Sequence, residues 1–208
     1  MIKDLRICFI GDSFTQGVGD PEFRGWVGRV LQATAAAAGP PEDLTAFNLG
    51  IRRNTSADVL RRIWPEVDAR TLPGADNRLV VSVGANDTTL EDGRPRVAPE
   101  RCLENLAALL DGARERGLGV LVVGPPPVVG WGAEHLGRLL TLAERTAVLC
   151  AARGVPFVDV TAAVAADPVW AAEAGGGDGA HPGAGGYRFL ADLVLAGGWW
   201  EWLAGEAA

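Results

Sequence analysis

Residues 5–14 read LRICFIGDSF, a mostly apolar run that ends in a glycine, an aspartate and a serine. Short apolar runs of this kind are typical of strands that are buried on both faces of a parallel sheet. Four more runs follow, each separated from the last by a longer amphipathic segment. The predicted strands cover residues 5–10, 44–49, 78–83, 118–123 and 155–160.

The segments between these runs have the apolar spacing of helices. Either Asn54 or Thr55 is expected to cap one helix, and Gly117 to end another. The predicted helices cover residues 25–38, 55–69, 99–116, 134–153, 161–173 and 183–204. Strands that alternate with helices predict a three-layer α/β/α fold with a doubly wound, five-stranded parallel sheet, as in flavodoxin-like proteins. We expect residues 1–208 to form a single domain, because no repeat or linker interrupts the pattern.

Composition excludes several classes of function. The chain of 208 residues carries a net charge of −7, which argues against a nucleic-acid partner. Neither a signal peptide nor an apolar run of about 18 residues is recognisable, so we expect a cytoplasmic protein without a membrane span. The three cysteines have neither disulfide nor zinc spacing; they are Cys8, Cys102 and Cys150.

Candidate functional residues follow the ends of the predicted strands. Ligands of open parallel sheets bind beyond the carboxyl ends of the strands. Three blocks there, and a fourth before the last helix, contain residue types suited to acyl transfer. The blocks are Gly11-Asp12-Ser13-Phe14, Asn48-Leu49-Gly50, Gly84-Ala85-Asn86-Asp87 and Asp178-Gly179-Ala180-His181-Pro182.

These four blocks, in this order, resemble those of the SGNH or GDSL-type hydrolases. The resemblance extends from Leu5 to about Tyr187, although Phe14 stands where leucine is more usual. It implies a serine esterase that needs neither a metal nor an organic cofactor. The four residues that name the family would be Ser13, Gly50, Asn86 and His181.

The residue types support such chemistry independently. A serine hydroxyl is a poor nucleophile until a base removes its proton. The chain has two histidines, and His181 follows Asp178 by three residues, so this carboxylate could orient the ring of His181 towards Ser13. The N–H groups of Ser13 and Gly50 and the amide of Asn86 are candidate oxyanion donors.

Each of these residues also has an ordinary structural interpretation. Taken alone, Ser13 and Asp178 are typical helix-capping residues, Gly50 is a turn glycine, and Asn86 a loop residue. The occurrence of all four blocks in order favours the catalytic interpretation. The other histidine, His135, is expected to be a surface or capping residue.

The substrate pocket is predicted less sharply. Candidate lining residues are Phe14, Arg52 and Trp131. Arg52 or Arg53 could narrow the pocket or bind an acidic group of the substrate, but either could equally be a solvated arginine. Trp131 could line an acyl pocket or pack over the core as a lid.

The predicted function is hydrolysis of small-molecule carboxylic esters, with short acyl groups such as acetyl preferred. An acyltransferase that uses the same acyl-enzyme, and a catalytically silent binding module, remain as alternatives; the oligomeric state is open. A flavodoxin-like nucleotide-binding protein is a more distant alternative. The sequence lacks the Gly-x-Ser-x-Gly, Gly-x-Gly-x-x-Gly and P-loop motifs of other α/β proteins.

Overall fold

A computed structural model describes residues 4–37, 39, 41 and 43–205. Five parallel strands form one sheet in the order β2-β1-β3-β6-β7, and two short antiparallel strands form a hairpin. The sheet strands are β1 (Asp4–Gly11), β2 (Asp43–Gly50), β3 (Asp76–Ser82), β6 (Gly119–Val123) and β7 (Phe157–Val158). The hairpin strands are β4 (Leu90–Glu91) and β5 (Arg94–Pro95).

Helices connect the strands and cover both faces of the sheet. They are α1 (Ser13–Gln16), α2 (Gly25–Ala36), α3 (Ser56–Asp68), α4 (Pro99–Glu115), α5 (Gly132–Ala151), α6 (Thr161–Ala166), α7 (Pro168–Gly176), α8 (Ala184–Val194) and α9 (Trp200–Ala204). A 3₁₀ turn spans Val129–Trp131, and a π-helical turn spans Leu195–Trp199. The predicted α/β/α fold is confirmed. In the described part of the chain, no helix is both long and apolar enough to span a membrane.

The pleat of β1 divides the core between the two faces of the sheet. Ile7 and Phe9 pack with the cluster that contains residues of α2 and α8, whereas Cys8 and Ile10 pack with residues of α3 and α4. Successive side chains of a strand point to opposite faces, which explains why the buried residues 7–10 of this strand are all apolar. The register also aligns Gly11 with both Gly50 and Ser82, so the residues that follow these strands meet at one edge.

Several predicted boundaries differ from the structure. The last sheet strand covers Phe157–Val158 and pairs with β6 at these two positions, whereas residues 155–160 were expected. The helix predicted over residues 161–173 is two helices, because Pro168 cannot continue α6, and Asp167 caps α7 by accepting from the Trp170 N–H.

The final helix was predicted over residues 183–204 but is divided at Gly197 and Gly198, where the backbone leaves helical geometry. The described end of α2 is Ala36, and the predicted end at Ala38 lies outside the described residues. Thr55 caps α3 with a capping box, as expected, and Gly117 follows α4 with a positive φ of 67°.

The loop between α1 and α2 is held by a buried ion pair. Asp20 and Arg29 are 2.5 Å apart at Oδ2 and Nη1, and Gly19 of the same loop lies against His181 and Pro182. Burial alone would raise the pKa of Asp20, but the Arg29 guanidinium and the N–H groups of Glu22 and Gly25 lower it to about 2. The ionised carboxylate therefore stabilises the folded loop.

We expect Asp20→Asn to lower the free energy of unfolding at pH 7 by about 3 kcal/mol, because buried Arg29 then keeps only the partly exposed Glu22, at 2.9 Å, as a charge partner. The folded-state pKa of Asp20 lies below its unfolded value. Its contribution is therefore present above about pH 4 and is lost as the pH falls towards about 2. Urea unfolding of both proteins between pH 7 and pH 2 measures this difference. A difference that stays constant down to pH 2 would contradict the assignment.

Candidate active site

Ser13 begins the short helix α1 directly after β1. Asp12 caps this helix, since its Oδ1 accepts from the Phe14 N–H at 2.9 Å. The first N–H groups of a helix have no acceptor within the helix, so the N–H of Ser13 is not used by α1 itself. This tight turn places the Ser13 hydroxyl at the carboxyl edge of the sheet.

Three predicted site residues form one chain of hydrogen bonds. His181 Nε2 lies 2.8 Å from Ser13 Oγ, and His181 Nδ1 lies 2.7 Å from Asp178 Oδ2. The fold thus brings together residues that are 168 positions apart in sequence. A neutral imidazole that donates through Nδ1 leaves Nε2 free to accept the serine proton.

The loop around Asp178 fixes the position of His181. Asp178 Oδ1 accepts from the N–H groups of Ala180 at 3.0 Å and His181 at 2.9 Å. Burial would raise the pKa of Asp178, but these bonds and the His181 ring outweigh it and lower the pKa to about 2. The carboxylate therefore stays ionised at neutral pH and favours the Nδ1–H tautomer of His181.

Gly50 ends β2 against the backbone of α1. A Cβ atom at this position would lie 2.2 Å from the Gln16 nitrogen and 2.8 Å from the Asp12 carbonyl oxygen. Only glycine therefore permits this approach of the two loops. The Gly50 N–H donates to Asn48 Oδ1 at 3.0 Å in this structure.

Asn86 links the first and third blocks. Its Nδ2 donates to Asp12 Oδ2 and to the Asn54 carbonyl oxygen, both at 3.1 Å, so both amide hydrogens are engaged. Burial raises the pKa of Asp12 to about 7, against the opposing hydrogen bonds from the Phe14 N–H and Asn86. The Asp12 contact with Asn86 is consequently strongest above neutral pH, where the carboxyl is ionised.

A cleft of about 130 Å³ opens beside Ser13 and His181. All three residues predicted to line a pocket do line it: Phe14, Arg52 and Trp131. Arg53, which the sequence offered as an alternative to Arg52, lines it as well, whereas sequence reasoning missed other lining residues, namely Ala85, Thr89, Glu91, Arg96, Val128 and Ala180. Glu91 and Arg96 reach the cleft through the β4–β5 hairpin, whose Asp92-Gly93 turn is a recognisable hairpin signal.

The second histidine was predicted to be a surface or capping residue, and this prediction was wrong. His135 is 1% exposed on α5, and its ring meets the Trp131 ring edge-on at 4.9 Å. Burial, together with the charge of Arg138, lowers the pKa of His135 to about 4. His135 therefore supports the Trp131 wall of the cleft as a neutral ring.

A family model described as GDSL-like Lipase/Acylhydrolase family matches residues 9–189. The chain belongs to this family. Esterase TesA of Pseudomonas aeruginosa, a family relative by sequence, is 33% identical over 130 residues, which are 62% of this chain and 59% of TesA. An uncharacterized lipoprotein of Bacillus subtilis, YqeF, is 29% identical over 137 residues, 62% of this chain and 52% of its own. The chain thus spans less than two thirds of the length of these curated relatives.

Solved structures share the fold over nearly the whole chain. A catalytic mutant of Axe2, an acetylxylan esterase from Geobacillus stearothermophilus, superposes with a TM-score of 0.76 at 23% identity, covering 97% of this chain and 98% of that one. The lipase/acylhydrolase from Enterococcus faecalis gives 0.72 at 25% identity over 92% and 93%. The resemblance to GDSL-type hydrolases is therefore confirmed, as is the five-stranded fold class.

A larger cavity, of about 560 Å³, lies among the described residues away from these GDSL-family blocks. It is at the opposite edge of the sheet, where β3 and β6 begin, and borders Gly205. Of its arginines, Arg78 pairs with Asp76, and Arg153 with Asp111. We place the candidate site at the smaller cleft, because the hydrogen-bonded Ser13 and His181 lie there. No cluster of metal-ligating side chains occurs among residues 4–37, 39, 41 and 43–205.

Glu173 of α7 supports the loop that follows His181. Its carboxylate accepts from the N–H groups of Gly183, Gly185 and Gly186 at 2.8–3.0 Å, at the start of α8. We expect Glu173→Ala to lower the free energy of unfolding by about 1–2 kcal/mol, since it removes a helix cap. Urea unfolding measures this change.

The matched control is Glu104→Ala, which removes an exposed helix glutamate far from this loop. It should change stability by no more than about 0.5 kcal/mol. Equal losses in the two variants would refute the capping role of Glu173.

Proposed function

We propose that this family member is a serine ester hydrolase in which Ser13 is the nucleophile, His181 the general base and Asp178 the residue that orients His181. The observation that carries the proposal is the continuous hydrogen-bond chain from Asp178 Oδ2 through His181 to Ser13 Oγ, with distances of 2.7 and 2.8 Å. A nucleophile, a base and an orienting acid in such contact are the requirements of acyl transfer.

The proposed reaction runs in two stages. His181 Nε2 takes the Ser13 proton as Oγ attacks the ester carbonyl carbon, and the carbonyl oxygen becomes an oxyanion. The tetrahedral intermediate collapses, and the C–O bond to the alcohol breaks as His181 returns the proton to the alcohol oxygen. Water, deprotonated by His181, then attacks the acyl-enzyme, and the acid leaves as Ser13 regains its proton.

The proposed oxyanion donors are the N–H groups of Ser13 and Gly50 and the Nδ2 of Asn86. Asn86 already donates to Asp12 and to the Asn54 carbonyl, and Gly50 to Asn48. To bind to Asn86 or Gly50, an oxyanion must therefore share the N–H donor with its present acceptor or displace that acceptor when the intermediate forms. A negatively charged oxygen is the stronger acceptor, which favours this exchange in the transition state over the ground state.

Related enzymes support the same roles. Structures of Axe2 with a serine, an aspartate or a histidine replaced by alanine are each described as catalytic mutants. In that enzyme the aspartate precedes the histidine by three residues. Asp178 and His181 have the same spacing.

We further propose that the preferred acyl groups are short. The cleft of about 130 Å³ is small beside the roughly 300–1,000 Å³ of pockets that hold drug-sized ligands. Trp131, Val128 and Phe14 line it, and the Phe14 ring packs against the rings of Trp170 and His181. A long acyl chain would have to extend out of this cleft.

A series of 4-nitrophenyl esters tests both the activity and the chain length. We expect kcat/KM to be highest for acetate or propionate and to fall by at least about tenfold at decanoate. Repeating the assay with added acceptor alcohols, and analysing the products, separates hydrolysis from acyl transfer. A maximum at decanoate would refute the short-chain proposal, and no hydrolysis of any ester by folded protein would refute the esterase proposal.

A further inference from the structure

The catalytic cleft is rich in positive charge although the protein as a whole is acidic. Its lining includes Arg52, Arg53 and Arg96, while the net charge of the chain is −7. Glu91 is the one acidic residue among its lining residues. The arginines therefore give this cleft a local charge opposite to that of the rest of the protein.

Two of the three arginines have close carboxylate partners. Arg96 Nε lies 3.1 Å from Glu91 Oε1, and Arg52 Nη2 lies 3.2 Å from Asp178 Oδ2. The side chain of Arg96 is also largely enclosed, and its Nη1 donates to the Arg53 carbonyl oxygen at 3.1 Å. These two guanidinium groups are thus substantially neutralised within the protein.

Arg53 is the least neutralised of the three. Its contact with a carboxylate in the described residues is to Glu91 at 3.9 Å, which is too long for a hydrogen bond. The Glu91 oxygen involved is the one that already pairs with Arg96. After these pairings, one positive charge of the cleft remains uncompensated, and it is centred on the Arg53 guanidinium.

The backbone of Arg53 is unusual for an arginine. Its φ of 70° lies in the left-handed region, where glycine is the ordinary choice. The turn there is closed by a hydrogen bond from the Asn54 N–H to the Ile51 carbonyl oxygen at 3.1 Å, which glycine at position 53 would allow equally well. An arginine at this position supplies the cleft with a cationic side chain at the cost of an unfavourable backbone conformation. Residues with such strained backbones often lie at functional sites.

We infer that the cleft accepts esters that carry a carboxylate, and that Arg53 is the residue that binds this carboxylate. The inference rests on the proposed esterase function and names its substrate class. A guanidinium presents two parallel N–H donors to a carboxylate, which suits a planar anion with a single charge. Hydroxy acids that are acylated on the hydroxyl group, or half-esters of dicarboxylic acids, carry both an ester and a free carboxylate.

Matched ester pairs test the inference. On the alcohol side we compare 3- and 4-acetoxybenzoate with the neutral 3- and 4-acetoxybenzamides, and on the acyl side methyl hydrogen glutarate with methyl glutaramate. Each kcat/KM is divided by the rate constant for alkaline hydrolysis of the same ester. In the wild-type protein we expect an anionic-to-neutral ratio of at least about five in one pair, decreasing as sodium chloride is added.

Three variants and one control assign the preference to Arg53. The ratio should fall below about two in Arg53→Gln and in Arg53→Gly, and Arg53→Gly should melt no lower than the wild type because it relieves the left-handed conformation. Glu91→Gln should raise the ratio, since it removes the negative charge beside Arg53. Arg101→Gln changes the net charge equally at an exposed site on α4 and should leave the ratio unchanged.

The outcomes separate this inference from the function on which it rests. Hydrolysis of the neutral esters without any preference for their anionic partners overturns the inference and leaves the esterase proposal standing. A preference that survives in both Arg53 variants overturns the role of Arg53. If no ester is hydrolysed and Ser13 does not react with a fluorophosphonate, the esterase proposal and the inference fall together.

Discussion

Replacing His181 with alanine is expected to lower kcat for ester hydrolysis by about 10⁴-fold or more, because Ser13 loses the base that takes its proton. His181 Nε2 is 2.8 Å from Ser13 Oγ, and the only other histidine is buried behind Trp131 with a pKa of about 4. No second imidazole can therefore substitute for it. Initial rates with 4-nitrophenyl acetate measure the effect.

Two controls separate this loss from misfolding. The His181→Ala variant should keep the far-UV circular dichroism spectrum of the wild type, and added imidazole should restore part of the rate by occupying the space of the missing ring. The double variant with Ser13→Ala should be no slower than either single variant, since the two residues act as one unit. Retained activity in His181→Ala, or additive losses in the double variant, would contradict the assignment.

The second large effect is expected at Asn86. Asn86→Ala should lower kcat by about 10²–10³-fold with little change in KM, because it removes a donor that is needed mainly for the oxyanion. Steady-state kinetics with an acetyl ester measure both constants. Both constants are needed because Asn86 also links Asp12 to the Asn54 carbonyl in the resting structure. A fall in kcat at constant KM indicates the oxyanion role rather than this structural one.

A purely structural role for Asn86 predicts a different result. Loss of its two hydrogen bonds would then lower the melting temperature and the activity together. An assay at a lower temperature, where the variant stays folded, would recover the rate. The matched control is Asn77→Ala, which removes an amide near the start of β3 that exchanges hydrogen bonds with the backbone of Leu72, away from the cleft. It should leave kcat unchanged. A fall of less than about tenfold in Asn86→Ala would contradict the oxyanion role.

The sheet and the site blocks could be predicted because their physical causes are local. A strand buried on both faces is mostly apolar, so β1 is recognisable from residues 5–10, in which Arg6 is the one polar residue. Ligands of parallel sheets bind at the carboxyl ends of strands, so the positions of Ser13, Gly50 and Asn86 follow from the strand pattern. Their convergence depends only on the parallel register, which aligns Gly11 with Gly50 and Ser82.

Other features depend on contacts between distant parts of the chain. Arg52 approaches Asp178 across 126 residues, and no sequence pattern indicates such a pairing. His135 looked like a residue at an exposed helix start, but Trp131 folds against it and buries it. The length of β7 also depends on a distant segment, because the strand extends only where Phe157 and Val158 pair with Val122 and Val123 of β6.

The central claim is that Ser13 is an activated nucleophile, and one mass measurement tests it most directly. The wild-type protein and Ser13→Ala are treated with a fluorophosphonate, and their intact masses are compared. We predict a single phosphonyl adduct on the wild type, with the fluoride displaced by Ser13 Oγ, and no adduct on the folded variant. An adduct that persists in Ser13→Ala, or unmodified wild-type protein that is fully folded, would contradict the proposed mechanism.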